Sequence, residues 1–283
     1  MPMKESCCLR ILHRGLVTRD GTVLASPLGN AEAESAFGID TVHSLFAPVV
    51  MAGECSSTFD VAWELALDTD FPPWSAVLAL SQTCGRGQVR REWISPPGNL
   101  YVSFFMPTDI SNLGNLASLA TGYLVHAALL AMGISSRLKW PNDLLLHNGT
   151  DEGKFGGLLL EERGNRLVAG LGLNIQSAPK KETMRLGSAV PPAVLASFKG
   201  GVFPFWLDLV AGMRAVYAES IVNMTPEGIR LKMEEHLAWK GRLVKAGDGG
   251  VLGELVGLAE DGALLLRTSY GIESVCSGSL SLV

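Results

Sequence analysis

Apolar and polar positions in this chain alternate in short runs over most of its length and shift to a helical period in only a few places. Leu16 to Leu24 alternates around Asp20-Gly21, a dipeptide favoured in two-residue turns, and predicts a β-hairpin. Ser57 and Thr58 are suited to cap a helix whose inner face is spelled by Phe59, Val61, Ala62, Leu65 and Ala66. Short apolar or alternating runs bounded by Gly, Pro, Asn or charge predict strands at Ala76 to Leu80, Leu100 to Phe105, Leu144 to Leu146, Phe155 to Leu160 and Leu167 to Ile175. Helical patterns fall at 112–132, at Phe205 to Val222 and at 226–237. Helices separate only some of the strands, so regular βαβ alternation does not fit. The expectation is an α+β domain, a mixed sheet with helices packed on one face. Beyond 237 the texture changes to five short strands: Arg242 to Val244, Val251 to Leu258, Ala263 to Arg267, Ile272 to Val275 and Leu280 to Val283. Gly-Asp, Glu-Asp-Gly and Ser-Tyr-Gly turns separate them, which suits a small all-β barrel. The expected division is an extension of unassigned purpose at 1–48, a catalytic-sized domain at 49–237 and the barrel at 238–283.

Composition narrows the class without changing the fold. The 283 residues carry 23 Lys plus Arg against 28 Asp plus Glu, a net charge of −5, and 47% are hydrophobic. That balance excludes disorder and fibre, and its acidic sign argues against wholesale binding to nucleic acid or anionic membrane. The N-terminal stretch has no pair of amphipathic helices with basic excess, so no DNA-binding head is expected there. Leu116 to Ile134 is about long enough to cross a bilayer, but Ser118, Thr121, Gly122 and His126 interrupt it, and a buried core helix is the expectation. Cys7, Cys8, Cys55, Cys84 and Cys276 form no C-x-x-C pair, which disfavours a disulfide framework or zinc knuckle. Arg10, His13 and Arg14 break the first apolar stretch, leaving no signal-peptide core. A cytoplasmic protein is expected.

Four segments carry chemistry. SQTCGRGQVRREW, 81–93, follows a predicted strand; Gly85 and Gly87 permit close approach of backbone to a ligand, and Arg86, Arg90 and Arg91 supply charge for phosphate or carboxylate. It lacks the P-loop pattern, and a solvated basic turn is an equally good reading of the segment alone. In KWPNDLLL, 139–146, Pro141 pins a turn that sets Asn142 and Asp143 at the mouth of a strand. GKFGGLLLEE, 153–162, places Lys154 beside Gly156 and Gly157, and AGLGLNI, 169–175, ends a buried strand with Asn174, an amide able to read a planar polar edge.

In order and content the four segments resemble the biotin–protein ligases, whose pattern runs G-R-G-R-x-G-R-x-W-x-S-P-x-G-N-L-Y-x-S, K-W-P-N-D, G-K-x-x-G-[IL]-L-x-E and G-x-G-[IL]-N. This chain has GRGQVRREWISPPGNLYVS, KWPND, GKFGGLLLE and GLGLN at similar intervals, with Ser57-Thr58 and Gln82 upstream, over about residues 50–283. The resemblance implies a class II synthetase-like catalytic fold followed by an SH3-like barrel. It also implies a two-step reaction in which biotin and Mg-ATP give biotinyl-5′-AMP and pyrophosphate, and a lysine of a biotin-carrier domain then takes the biotinyl group. Carried over residue by residue, it assigns biotin contacts to Ser57, Thr58, Gln82, Gly85, Arg86, Gly156 and Gly157, and nucleotide contacts to Arg86, Gln88, Arg91, Trp93, Asn142, Lys154 and Asn174. Lys154, Arg86 and Asp143 would be catalytic, with Asp143 either handling the acceptor lysine's proton or only holding its loop. Magnesium would come with ATP, with no metal ligand assigned to a side chain. The implied partners are biotin, ATP and the carrier domain, without DNA or membrane, and with the choice between monomer and homodimer open. Departures from the pattern are Gln88 where a guanidinium is usual, Arg90 where a glycine is usual, Phe59 after Ser-Thr, and Val283 in place of a basic terminal residue. They keep open a weak biotin- or adenylate-binding module; a lipoate or octanoate transferase shares the superfamily, but the intact KWPND argues against it.

Overall fold

The computed structural model describes residues 9–12, 16–17, 23–29, 31–32, 35, 47–88, 91–148, 151–179, 190–195, 198 and 200–283. The Asp20-Gly21 turn, Arg90, Cys7 and Cys8 lie outside them. In chain order the strands and helices begin with β1 (Leu9–Ile11), β2 (Leu16–Val17), β3 (Val23–Ala25), β4 (Val49–Cys55), α1 (Thr58–Asp68), β5 (Ala76–Gln82) and β6 (Leu100–Phe105). They continue with α2 (Ala117–Ala131), β7 (Ser136–Lys139), β8 (Asp143–Asn148), β9 (Asp151–Arg163), β10 (Arg166–Leu173), α3 (Val202–Val216) and α4 (Pro226–Glu235). The last five strands are β11 (Leu243–Ala246), β12 (Val251–Leu258), β13 (Leu264–Thr268), β14 (Gly271–Val275) and β15 (Leu280–Leu282). They form two compact units, one of Met1–Thr108, Leu158–Ser177 and Val194–Val210, the other of Asp109–Gly157, Ala178–Ala193 and Ala211–Val283. These divisions differ from those expected at 48 and 237, because strand pairing ties distant segments together and β9 gives a half to each unit.

In the first unit β2, β3, β4, β5, β6, β10 and the second half of β9 are neighbours in that order, and β1 also pairs with β4. β1 and β5 run parallel to β4, while β5 to β6 and β6 to β10 are antiparallel. The expected hairpin is present as the antiparallel β2–β3 pair, Leu16 opposite Ala25. The three described strands before residue 48, β1, β2 and β3, are thus built into the sheet. β4, VVMAGEC, was not among the expected strands: it is buried along nearly its whole length, so it shows none of the alternation that marks a half-exposed strand.

Ser57 caps α1, and its apolar face (Phe59, Val61, Ala62, Trp63) is buried with Val50, Val77, Phe105 and Val168. Burial of each large side chain there contributes roughly 1.5–3 kcal/mol. Trp63 meets Phe105 edge-on at 6.2 Å, and Phe71 stacks on the same ring at 5.3 Å. The mixed α+β architecture is the one expected, with one addition. Phe104, whose side chain points the other way, packs at 5.3 Å from Trp206 of α3, so helices lie on both faces.

In the second unit α2 is buried around most of its circumference and packs on β7, β8 and α4. Its stretch 114–131 is long and apolar enough to cross a membrane, but two-thirds of it is buried inside the fold, as a core helix would be. The helix ends in a Schellman motif: Gly133 has φ 78°, its N–H donates to Leu130 O at 3.0 Å, and Ile134 N–H donates to Leu129 O at 2.9 Å. Antiparallel β7 and β8 turn through Trp140, Pro141 and Asn142, with a cis Trp140–Pro141 bond, and β8 pairs with the first half of β9. The last five strands form an antiparallel sheet in the order β14, β13, β12, β11, β15, all within the small C-terminal β domain expected.

Candidate active site

The expected site residues fall into two sets, one in each unit. In the first, Ser57 Oγ accepts the Phe59 N–H, and Thr58 donates its N–H to Gln82 Oε1 at 2.9 Å. Thr58 Oγ1 shares a 2.7 Å hydrogen bond with Ser103 Oγ, and Gln82 Nε2 donates to Ser95 Oγ at 2.9 Å, which donates to Trp93 O. The helix start and the end of β5 are thereby joined into one polar network, because β5 lies beside β4, whose chain continues into the cap of α1. Ser95 and Ser103 belong to it although neither stands out in the sequence.

The Gly-Arg segment is a short hairpin. Trp93 N–H donates to Gly85 O at 2.8 Å, Gly87 N–H to Arg91 O at 2.7 Å, and Arg91 N–H to Gln88 O at 3.1 Å. Arg91 is exposed and Gln88 half-buried. Arg86 is clamped: Nη2 lies 2.7 Å from Asp60 Oδ1, Nη1 3.3 Å from Glu161 Oε1, and the guanidinium stands 5.3 Å from the Phe59 ring centre. Glu161 also accepts Trp63 Nε1 at 3.0 Å, and Asp60 accepts Ser56 Oγ at 2.8 Å. Trp93 lies across Gly172, where a Cβ would come within 2.6 Å of the indole, so that position has room only for glycine or for a displaced loop.

Asn174 is buried at the end of β10, and its carbonyl accepts Leu195 N–H at 2.9 Å. The turn after it is organised by Asn99, whose Oδ1 accepts the N–H groups of Ile175, Gln176 and Ser177 at 2.9, 2.9 and 3.2 Å. Asn99 was not expected as a site residue. A buried amide with three backbone donors is visible only once the fold is known.

The second set centres on Asp143. Lys139 Nζ lies 2.9 Å from Oδ2 and Lys154 Nζ 2.6 Å from Oδ1, so each carboxylate oxygen receives one ammonium. Lys139 is 7% exposed, which requires that its charge be paired, and it too escaped the sequence reading because a lysine at a strand end is normally solvated. Burial pushes the Asp143 carboxyl upward, but the attraction of Lys154 and Lys139 and their hydrogen bonds outweigh it and hold the group below the usual carboxylate range. Gly157 and Gly156 stand opposite Asp143 and Leu144 in the β8–β9 ladder, three and two positions past Lys154, and Asn142 sits half-buried in the turn. Trp140 Nε1 donates to Gly262 O at 3.0 Å, fastening this turn to the C-terminal β domain. Lys139 lies 5.8 Å from the Trp239 ring centre, and Trp239 Nε1 donates to Glu152 Oε2 at 2.6 Å. Among the described residues no group of three or more His, Cys, Asp or Glu could hold a metal ion.

Chemically, the second set offers a half-exposed ammonium held rigidly beside glycine-rich backbone, suited to stabilising anionic oxygens, and the first offers amide and hydroxyl groups suited to a planar polar ligand. Comparison with known proteins agrees. Residues 53–176 match the biotin/lipoate A/B protein ligase family, and residues 241–283 match the biotin protein ligase C terminal domain. The chain is 31% identical over 233 residues to a biotin–[acetyl-CoA-carboxylase] ligase of Paracoccus denitrificans, covering 78% of this chain and 95% of that protein. It is 28% identical over 282 residues to the bifunctional ligase/repressor BirA of Bacillus subtilis, covering 94% and 83%. The solved biotin protein ligase from Aquifex aeolicus in complex with biotin and ATP superposes with a TM-score of 0.63 at 29% identity, covering 83% of this chain and 98% of that one.

Proposed function

The chain belongs to the biotin protein ligase family, and from that premise we propose that it joins biotin to ATP as biotinyl-5′-AMP and passes the biotinyl group to a lysine of a biotin-carrier domain. It is an ATP-dependent ligase. The observation that carries the finer reading is Lys154, fixed by Asp143 two positions before the Gly156–Gly157 pair. On this reading Ser57, Thr58 and Gln82 offer hydrogen-bonding groups to the ureido ring of biotin, and Gly156 and Gly157 let the backbone of β9 approach the ligand closely. The biotin carboxylate and the α-phosphate meet at Lys154, whose ammonium stabilises the charge both bring to the transition state. Asn142, Asn174 and Trp93 serve the adenylate side. Arg86 supplies charge to the phosphates when it leaves Asp60 or Glu161, and Gln88 offers them a neutral amide where an arginine would bind more strongly.

Asp143 acts on this reading by positioning Lys154 and Lys139. Both its oxygens are already bonded, so taking a proton from the acceptor amine would require one lysine to let go. Magnesium, where it accompanies ATP, would be held by the nucleotide phosphates and would shield their charge. Cytosolic residence follows from the substrates. The match of 241–283 to a biotin-specific C-terminal domain favours biotin over lipoate or octanoate.

The test is mass spectrometry of a carboxylase carrier domain after incubation with the protein, biotin and Mg-ATP. One biotinyl group on one carrier lysine is expected. A carrier left unmodified, while a lipoyl domain accepts lipoate or octanoate, would contradict the proposal.

A further inference from the structure

In the first unit two carboxylates converge on one guanidinium. Arg86 Nη2 lies 2.7 Å from Asp60 in the first turn of α1, and Nη1 lies 3.3 Å from Glu161 on β9. Its Nε is buried with no hydrogen-bond partner among the described residues. Two carboxylates on one guanidinium cancel its charge, so an anion arriving at the Gly-Arg hairpin meets no positive field from Arg86 while both stay attached. The pairing is nevertheless exchangeable. The Arg86, Asp60 and Glu161 side chains are 36%, 29% and 22% exposed, so water reaches all three and the bonds are weak beside those of a sealed ion pair.

Each carboxylate keeps a second donor when Arg86 departs. Asp60 Oδ2 accepts Ser56 Oγ at 2.8 Å. Glu161 Oε2 accepts Trp63 Nε1 at 3.0 Å and has Arg163 Nη2 at 3.7 Å, with the Arg163 guanidinium 4.8 Å from the Trp63 ring centre. Neither carboxylate is left buried and bare, the state that makes breaking an ion pair costly. The backbone of Arg86, by contrast, is fixed. It faces Glu92 in an antiparallel bridge, flanked by hydrogen bonds between Gly85 and Trp93 and between Gly87 and Arg91. Exchange is thus confined to the side chain, whose guanidinium rests 5.3 Å from the centre of the Phe59 ring, a ring seated in the space that Gly170 leaves by having no Cβ.

We propose that Asp60 and Glu161 are positioning residues that compete with the bound anion for Arg86, and so set how tightly the chain retains its acyl-adenylate. The inference rests on the ligase reading above and deepens it: Arg86 serves the phosphate of biotinyl-5′-AMP only by exchanging carboxylate oxygens for phosphate oxygens. Asp60 and Glu161 act through Arg86 and touch neither substrate nor intermediate.

A double-mutant cycle read by titration calorimetry on the full chain tests this, with Asp60→Asn, Arg86→Ala and the two combined. The ligands are biotinyl-5′-AMP, inorganic phosphate and biotin amide, in which a neutral carboxamide replaces the carboxylate. Asp60→Asn is expected to bind the two anions about fivefold more tightly than the parent, to leave biotin amide unchanged, and to have no effect once Arg86 is alanine. Glu161→Gln, which keeps an acceptor for Trp63, shifts the same two anions in the same direction and supplies the comparison if Asp60→Asn does not fold. Anion binding that is unchanged or weaker would overturn the proposal and make the pair a structural tie. A tightening that survives in the Arg86→Ala background would also overturn it, since the carboxylate would then act by its own charge. Phosphate bound more tightly by Asp60→Asn only when Arg86 is present, in a chain whose parent binds neither biotin amide nor the adenylate, would uphold the competition and overturn the ligase reading.

Discussion

Asp143 shows how a single carboxylate can order a reaction centre without reacting. Its neighbours at 2.9 and 2.6 Å are both cations, so its folded-state ionisation lies below that of an unfolded aspartate. Between the two values the unfolded chain binds more protons, and stability rises with pH there. The contribution is fully present above the ordinary carboxyl value of about 4 and is lost as pH falls through the depressed one. Asp143→Asn leaves two ammonium groups facing a neutral amide and is expected to cost about 3 kcal/mol near neutrality. Denaturant titrations of parent and variant should converge in acid; a gap of constant size down through the depressed value would place the effect elsewhere. Lys154 and Asp143 were legible because the sequence spells them inside recognisable segments. Lys139, Ser95, Asn99 and Glu161 stand in the same segments without a role read for them, and Asp60 stands outside them, since nothing in a sequence distinguishes a buried, paired polar side chain from a solvated one.

The same dependence on burial governs how α2 meets β7. His126, 2% exposed on α2, holds Ser136 Oγ at 2.8 Å through Nδ1, and its ring centre lies 4.8 Å from that of His236. Burial first, and the neighbouring imidazole second, push His126 down to about 4 from 6.5. A histidine so depressed favours the fold fully above its unfolded value and withdraws that support as pH falls toward the folded one, by about 3 kcal/mol in all. His126→Asn is therefore expected to flatten the acid limb of the melting temperature between about pH 6.5 and 4; an equally steep limb would show that other groups set it. Here the sequence reading anticipated a buried helix from the apolar run, but set its start at 112 instead of Ala117, because Gly114–Leu116 forms a 3-10 turn that continues the apolar pattern with a different hydrogen bond. It missed β7, whose four residues include two charges, one of them buried only because Asp143 receives it.

Connectivity at long range was the least visible in sequence. β1 and β3 pair with β4, Leu9 opposite Val49 and Ala25 opposite Cys55, and β2 joins the sheet through its neighbour β3, so the strands before β4 reach partners that no local pattern marks. Trp140 ties the Asp143 turn to Gly262, and Trp239 ties the segment before β11 to Glu152, so the small C-terminal sheet supports the lysine cluster through two indole donors. The five-strand count of that sheet was legible from turn residues, whereas these two tethers were not, because each tryptophan reads as core until its N–H has a partner.

All of this converges on Lys154. Biotin-dependent release of pyrophosphate from Mg-ATP, measured for the parent and for Lys154→Ala under matched fold, is the decisive comparison. Release that requires biotin and falls at least about a hundredfold in the variant is expected; release at the parent's rate without the ammonium would contradict the account.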